Sequence, residues 1–107
     1  ARLLTRRVDD LDASALRDLA DSLKGELGRG VVVLGAASGD KVQFVISVTA
    51  DLAGRVHAGK LVKELAPIVG GGGGGRPDFA QAGGRNPEKL DDLLAASREA
   101  VGRMLGS

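Results

Sequence analysis

From position 70 to 84 the chain reads Gly-Gly-Gly-Gly-Gly-Gly-Arg-Pro-Asp-Phe-Ala-Gln-Ala-Gly-Gly. No other stretch restricts the fold as much. Six successive glycines order poorly, because glycine visits both signs of φ and loses the most backbone freedom on folding. In isolation they would spell a flexible linker. Their context argues otherwise. The run lies between two amphipathic helical patterns and passes directly into the rigid, charged and aromatic group Arg76-Pro77-Asp78-Phe79 before closing on Gly83-Gly84. The competing reading is a backbone-dense loop over 70–84, where missing side chains let a ligand or another backbone segment approach closely.

Around this stretch the hydrophobic pattern is regular. Arg2 to Val8 reads as a strand, and the acidic turn Asp9, Asp10, Asp12 suits a helix N-terminus. Leu16, Leu19, Ala20, Leu23 and Leu27 then fall on one helical stripe, which predicts a helix over about Ala13 to Leu27, stopped by Gly28. Val31 to Ala37 is continuously apolar, the signature of a strand covered on both faces. Ser38-Gly39-Asp40-Lys41 is a turn signal, and Val42 to Thr49 alternates with Val42, Phe44, Ile46 and Val48 on one face, so the two runs predict an antiparallel hairpin. A second helix is expected from about Val56 to Ile68, with Pro67 near its end. Phe79 to Ala82 is a short extended segment. Asn86 is expected as N-cap and Pro87 as first residue of the last helix, whose stripe is Leu90, Leu93, Leu94, Ser97, Val101, Met104 and Leu105. The order β-α-β-β-α-loop-α predicts an α/β sandwich, a small mixed or antiparallel sheet covered by helices.

At 107 residues the chain is expected to form one domain with a single modest core, built from Leu, Val, Ile and Ala because Phe44 and Phe79 are its only aromatics. The absence of cysteine excludes a disulfide framework and a thiolate metal site, and is compatible with a reducing compartment. No run approaches the roughly 18 apolar residues of a membrane span, and the basic start lacks the plan of a signal peptide. The chain has no initiating Met and begins abruptly in a strand, which suggests a fragment of a larger protein. Net charge is only +1, but its distribution is uneven: residues 54–89 carry six Lys/Arg (Arg55, Lys60, Lys63, Arg76, Arg85, Lys89) against three acids (Glu64, Asp78, Glu88). The positive excess therefore brackets the glycine stretch.

Gly74 to Gly84 closely resembles the signature near the C-terminus of alanyl-tRNA synthetases, in the DHH-associated domain that also occurs in some phosphoesterases. Ala58-Gly59-Lys60-Leu61-Val62-Lys63-Glu64-Leu65-Ala66 looks like the helix preceding the glycine loop in that family. The resemblance covers most of the chain and is densest from about Asp51 to Leu94. It implies the globular C-terminal domain, which in that family helps to hold tRNA(Ala) at its outer corner and links aminoacylation to editing of mischarged tRNA. The parent enzyme joins alanine to tRNA using ATP and Mg²⁺, and its editing domain binds Zn²⁺; the resemblance puts none of those parts, and no cofactor, in these residues. It further implies a cytoplasmic protein whose partners are tRNA and the aminoacylation and editing domains of its own chain, with no membrane. The phosphoesterase relatives often carry His in the glycine motif, where this sequence has Arg76 nearby, and that departure favours the synthetase branch.

Motif chemistry agrees with a binding role. Gly54-Arg55-Val56-His57-Ala58-Gly59-Lys60-Leu61 nearly matches a phosphate loop, but Leu61 stands where the Mg²⁺-binding hydroxyl is required. The six glycines satisfy G-x-G-x-x-G trivially. His57, the only histidine, is expected to be exposed or capping, and no ligand spacing announces a metal. No catalytic residue is expected. The expected tRNA contacts are Arg55, Lys60, Lys63, Arg76 and Arg85, beside the backbone of Gly70, Gly71, Gly72, Gly73, Gly74, Gly75, Gly83 and Gly84. Without a free aromatic, such a surface would grip folded RNA by shape and backbone, Phe79 being packed. Arg76 and Asp78 can instead pair locally, with Asp78 and Gln81 orienting the loop. Two other readings compete. An assembly module would use the apolar stripe of the last helix to form a homo-oligomer, and the substrate-binding half of a DHH phosphoesterase would need a separate metal-binding domain.

Overall fold

In the computed structural model, which describes residues 2–106, the strands are β1 (Arg2–Arg7), β2 (Gly30–Ser38), β3 (Lys41–Val48), β4 (Gly72–Gly75) and β5 (Phe79–Gly84). The helices are α1 (Ala13–Leu27), α2 (Ala58–Leu65) and α3 (Leu90–Gly106). One mixed sheet runs β1-β2-β3-β5-β4, with β1 parallel to β2 and every other pair antiparallel. β2 and β3 form the predicted hairpin, Val33 opposite Ile46 and Gly35 opposite Phe44.

Period-two alternation splits the core into two layers. Val31, Val33, Val42, Phe44, Ile46 and Val48 face α2 and α3, where they meet Leu61, Val62, Leu65, Leu90, Leu93 and Val101. Val32, Leu34, Ala36 and Val45 face α1 and pack on Leu16 and Ala20. Every residue from Gly30 to Ala37 is buried, as a strand covered on both faces requires. Each fully buried Leu, Val or Phe side chain contributes about 1.5–3 kcal/mol, so the central hairpin carries much of the stability.

α1 keeps its predicted bounds because both ends are capped. The Asp12 carboxylate accepts from Ala15 N–H at 2.8 Å, and Gly28 takes φ 76°, its N–H donating to Lys24 O.

Three expectations need correction. The 70–84 stretch is not a single loop: most of it is a β-hairpin, so the element order is β-α-β-β-α-β-β-α. The second helix is shorter than 56–68. It ends at Leu65, and Ala66–Val69 tighten into a 3₁₀ turn with Pro67 at its start, where a missing N–H costs nothing. Asn86 does precede Pro87, but the turn they open is a 3₁₀ segment, Pro87–Lys89, and the Asn86 side chain makes no cap bond. That side chain lies against Gly70 instead, where a Cβ on the glycine would sit 2.8 Å from Nδ2.

Candidate nucleic-acid interface

The glycine hairpin is locked at both ends by backbone bonds. Gly70, at φ 66°, ends the 3₁₀ turn in the left-handed region, and Gly71 N–H donates to Ala66 O at 3.0 Å. At the other end Arg76 N–H donates to Phe79 O at 2.8 Å, closing the β4–β5 turn. The first turn of α2 clamps that turn, Ala58 N–H donating to Pro77 O at 2.8 Å and Gly59 N–H to Arg76 O at 3.1 Å. His57 caps the same helix: its Nδ1 accepts from Lys60 N–H at 3.1 Å.

This packing explains why side chains are missing here. A Cβ on Gly59 would lie 2.6 Å from Gly75 O, and one on Gly73 would collide with the Ala82 methyl and the Gln81 carbonyl. Gly72 is different, since a Cβ there meets nothing within 4 Å. Helix α2 therefore runs alongside a strand that is little more than backbone.

The structure brings together three of the five basic residues expected at the site. Lys60 and Lys63 are exposed on α2, and the Lys63 stem crosses the strand, since a Cβ on Gly74 would sit 3.5 Å from its Cε. Arg76 is exposed in the adjoining turn, with Asp78 Oδ1 at 3.7 Å from its Nε, a loose pair in solvent. Glu64, the acid nearest in sequence to both lysines, is engaged elsewhere by Arg103, its carboxylate 3.1 Å from Nη2. Arg85 is exposed but stands at the far end of β5, where its N–H donates to Val69 O. Arg55 points away, its guanidinium donating to Leu105 O at 2.8 Å near the end of α3. Of the eight glycines, Gly70 and Gly71 form the entry, Gly72 to Gly75 form β4, and Gly83 and Gly84 end β5.

Phe79 is half-buried in the α1 layer, with the Arg17 guanidinium 5.0 Å from its ring centroid, so one face of the ring is occupied by a cation. Gln81 sits mid-strand in β5, opposite Gly74 and Val45. The apolar stripe of α3 is turned inward: Leu93, Leu94 and Val101 are buried, and Met104 and Leu105 pack against the same core. Among the described residues no group of three or more His, Cys, Asp or Glu is placed to hold a metal ion, and no helix is long and apolar enough to cross a membrane. Sequence reasoning missed the clamp by Gly59; the only trace of it was a glycine one residue after a helix start.

The DHHA1 domain model matches residues 1–103. The chain belongs to the DHHA1 domain family. Among curated relatives, the alanine–tRNA ligase of Exiguobacterium sibiricum is 55% identical over 101 residues, and that of Bacillus subtilis 50% over 104. These alignments cover 94% and 96% of this chain but 12% of each relative, so the chain spans about an eighth of the length of the proteins it matches. Among solved structures, the C-Ala domain from Aquifex aeolicus alanyl-tRNA synthetase superposes with a TM-score of 0.84 at 31% identity, covering 98% of this chain and 91% of that one. A DHH-domain protein described as a member of the s1p family of ribosomal proteins shares the fold, at a TM-score of 0.59 and 20% identity over 91% of this chain and 25% of that one. The synthetase resemblance of the glycine signature is borne out by relatives 50–55% identical to this chain, whereas the second structure shares the fold alone.

Proposed function

We propose that this chain is the non-catalytic C-terminal, tRNA-binding domain of an alanine–tRNA ligase. The observation that carries the reading is the near-complete match to the C-Ala domain, combined with the gathering of Lys60, Lys63 and Arg76 along the glycine strand. The parent enzyme would attach alanine to tRNA(Ala) with ATP and Mg²⁺ and edit mischarged tRNA in a zinc-binding domain, all in the cytoplasm and all outside these residues. This domain would grip the outer corner of the tRNA and tie the two activities to one bound molecule. Its contacts are phosphates, because the site offers cations and backbone amides but no free aromatic face. Arg85 extends the same surface at the far end of β5, whereas Arg55, held at α3, is not assigned to it.

The decisive experiment is a salt titration of tRNA binding to this chain, with duplex DNA as competitor. Affinity that falls steeply with salt yet prefers folded tRNA supports the reading. Equal binding of DNA would reduce it to a generic basic surface, and no binding at low salt would overturn it.

A further inference from the structure

β1 forms the sheet edge opposite the glycine hairpin, about 19 Å away across four strand spacings. Its ladder to β2 uses alternate residues. Arg2 N–H donates to Arg29 O, Val8 N–H to Gly35 O and, past the strand end, Asp10 N–H to Ala37 O. In a parallel pair the residues that donate to the neighbouring strand also accept from it, so Arg2, Leu4 and Arg6 bond to β2. The N–H and C=O of Leu3 and Thr5 turn outward, and no neighbouring segment bonds to them among the described residues. The side chains alternate as well. Leu3 packs against the α3 layer, while Arg2, Leu4 and Arg6 share the other face with Val8. Leu4 is half-buried and packs into neither core layer among the described residues. Arg2 and Arg6 are exposed and make no ion pair among the described residues, whereas Arg7 is held by Asp9 at 2.9 Å and Asp91 at 3.2 Å. An open ladder therefore runs beside a row of cation, leucine and cation.

We propose that the outer edge of β1 takes up an extended acidic segment of a partner protein as a sixth, antiparallel strand, with carboxylates opposite Arg2 and Arg6 and an apolar residue opposite Leu4. The backbone selects the class of partner. Leu3 and Thr5 each present a donor and an acceptor, which a peptide matches and a phosphate chain, offering acceptors alone, does not. The side chains select its charge. Pairing with a second copy centred on Leu4 would set Arg2 against Arg6 twice, and like charges directly opposite are unfavourable. Charges on an edge blunt self-pairing in this way, and the same charges favour an acidic strand. Arg2, Leu4 and Arg6 fall at the non-hydrogen-bonded positions of the new pair, where cross-strand side chains approach most closely. The pattern recognised is acid-x-apolar-x-acid. This inference is independent of the tRNA-binding reading, since the two surfaces lie at opposite edges of the sheet.

The test adds the end-capped peptide Thr-Glu-Thr-Val-Thr-Glu-Thr to the ¹⁵N-labelled 107-residue chain and follows backbone amides by NMR. The Leu3 and Thr5 amides are expected to shift and to exchange more slowly. Leu4 and Arg6, already bonded to β2, keep their exchange rates, and the remote Gly73 stays put. The same peptide with Lys in place of Glu is expected to bind about tenfold more weakly, because two cross-strand charge pairs change sign. Thr5→Pro removes an outward N–H and leaves the β2 ladder whole, so it is expected to abolish binding. Arg2→Glu/Arg6→Glu, at two exposed positions, is expected to reverse the preference between the peptides. No binding of the acidic peptide at millimolar concentration, equal affinity for both peptides, or binding with Thr5 unprotected would overturn the inference. Protection of Leu3 and Thr5 by tRNA, or by concentrating the chain alone, would overturn it too, giving the edge to RNA or to a second copy.

Discussion

Removing Lys60 and Lys63 together tests the assigned surface more sharply than any loss of affinity could. Both side chains are exposed, and neither has an ion-pair partner among the described residues, so Lys60→Ala/Lys63→Ala should leave the fold intact. If each ammonium neutralises one phosphate, the slope of log K against log salt loses about 0.7–0.9 per lysine, or about 1.4–1.8 for the pair. Raising salt fourfold, from about 50 to about 200 mM, would then weaken the unaltered chain about tenfold more than the double variant. Fluorescence anisotropy of labelled tRNA at four or five salt concentrations reads this directly, and a urea melt verifies stability. The loss should be similar for tRNAs of different sequence, because phosphates carry no sequence. Equal slopes for the two proteins, with tRNA still bound, would place the phosphate contacts on another face.

Four further outcomes follow from local geometry. Two glycine-to-alanine changes on helices should have opposite signs in urea melts: Gly25→Ala, with open space around it, should stabilise by up to about 1 kcal/mol, whereas Gly59→Ala should cost about 1–3 kcal/mol because its Cβ meets the Gly75 carbonyl. Ser47 is fully buried on β3 and its hydroxyl has no partner among the described residues, so Ser47→Ala should raise stability by about 1 kcal/mol, where a partnered hydroxyl would give a loss. Asp78→Asn should tighten tRNA binding by releasing Arg76 from its exposed pair, an effect that fades at high salt. The Thr49 hydroxyl holds the Asp51 carboxyl below the usual range, with Arg29 adding to it, and the Arg7 guanidinium does the same for Asp9, helped by the Ala37 N–H. A carboxyl depressed in the folded state stabilises above its unfolded value of about 3.9 and loses that stabilisation as pH falls through the folded value. Asp51→Asn and Asp9→Asn should therefore flatten the decline of melting temperature below about pH 4 while leaving a lower plateau at neutral pH.

How much of this was legible depended on whether side chains or backbone carried the information. α1 kept its bounds because stripe, Asp12 cap and Gly28 stop agree, and β2 and β3 were readable because alternation against a two-faced apolar run leaves a single register. β4 was not readable. Four glycines have no period and poor strand propensity, and they are ordered only because β5 offers a ladder and α2 presses from the side. The basic cluster was legible in composition but not in membership. Lys60 and Lys63 could be placed together by helical spacing, whereas the return of Arg76 to the start of α2 depends on the hairpin that the sequence concealed. Arg55, two residues before the α2 cap, was drawn instead to a carbonyl fifty residues away. Asn86 resembles a cap in every local respect, but its side chain makes no cap bond and lies against the tertiary neighbour Gly70.

The inward packing of α3 also bears on the choice between assembly and RNA. An obligate oligomer interface resembles a core cut in half, with an apolar centre. Here Leu93, Leu94 and Val101 are consumed by the chain's own sheet, and no large hydrophobic residue is exposed among those described. The surface left for a partner is polar, and its most organised part is the cationic flank of a bare strand. The few cations of this surface, on a chain of net charge +1, make few phosphate contacts, so the isolated chain should bind tRNA weakly. Attachment to a larger tRNA-binding protein removes that handicap. Once another domain holds the same tRNA, the second contact becomes intramolecular, and an effective concentration in the millimolar range for a short flexible linkage turns a weak site into an occupied one. A surface that is weak alone and effective when tethered fits the proposed role as one contact of a larger tRNA-binding protein.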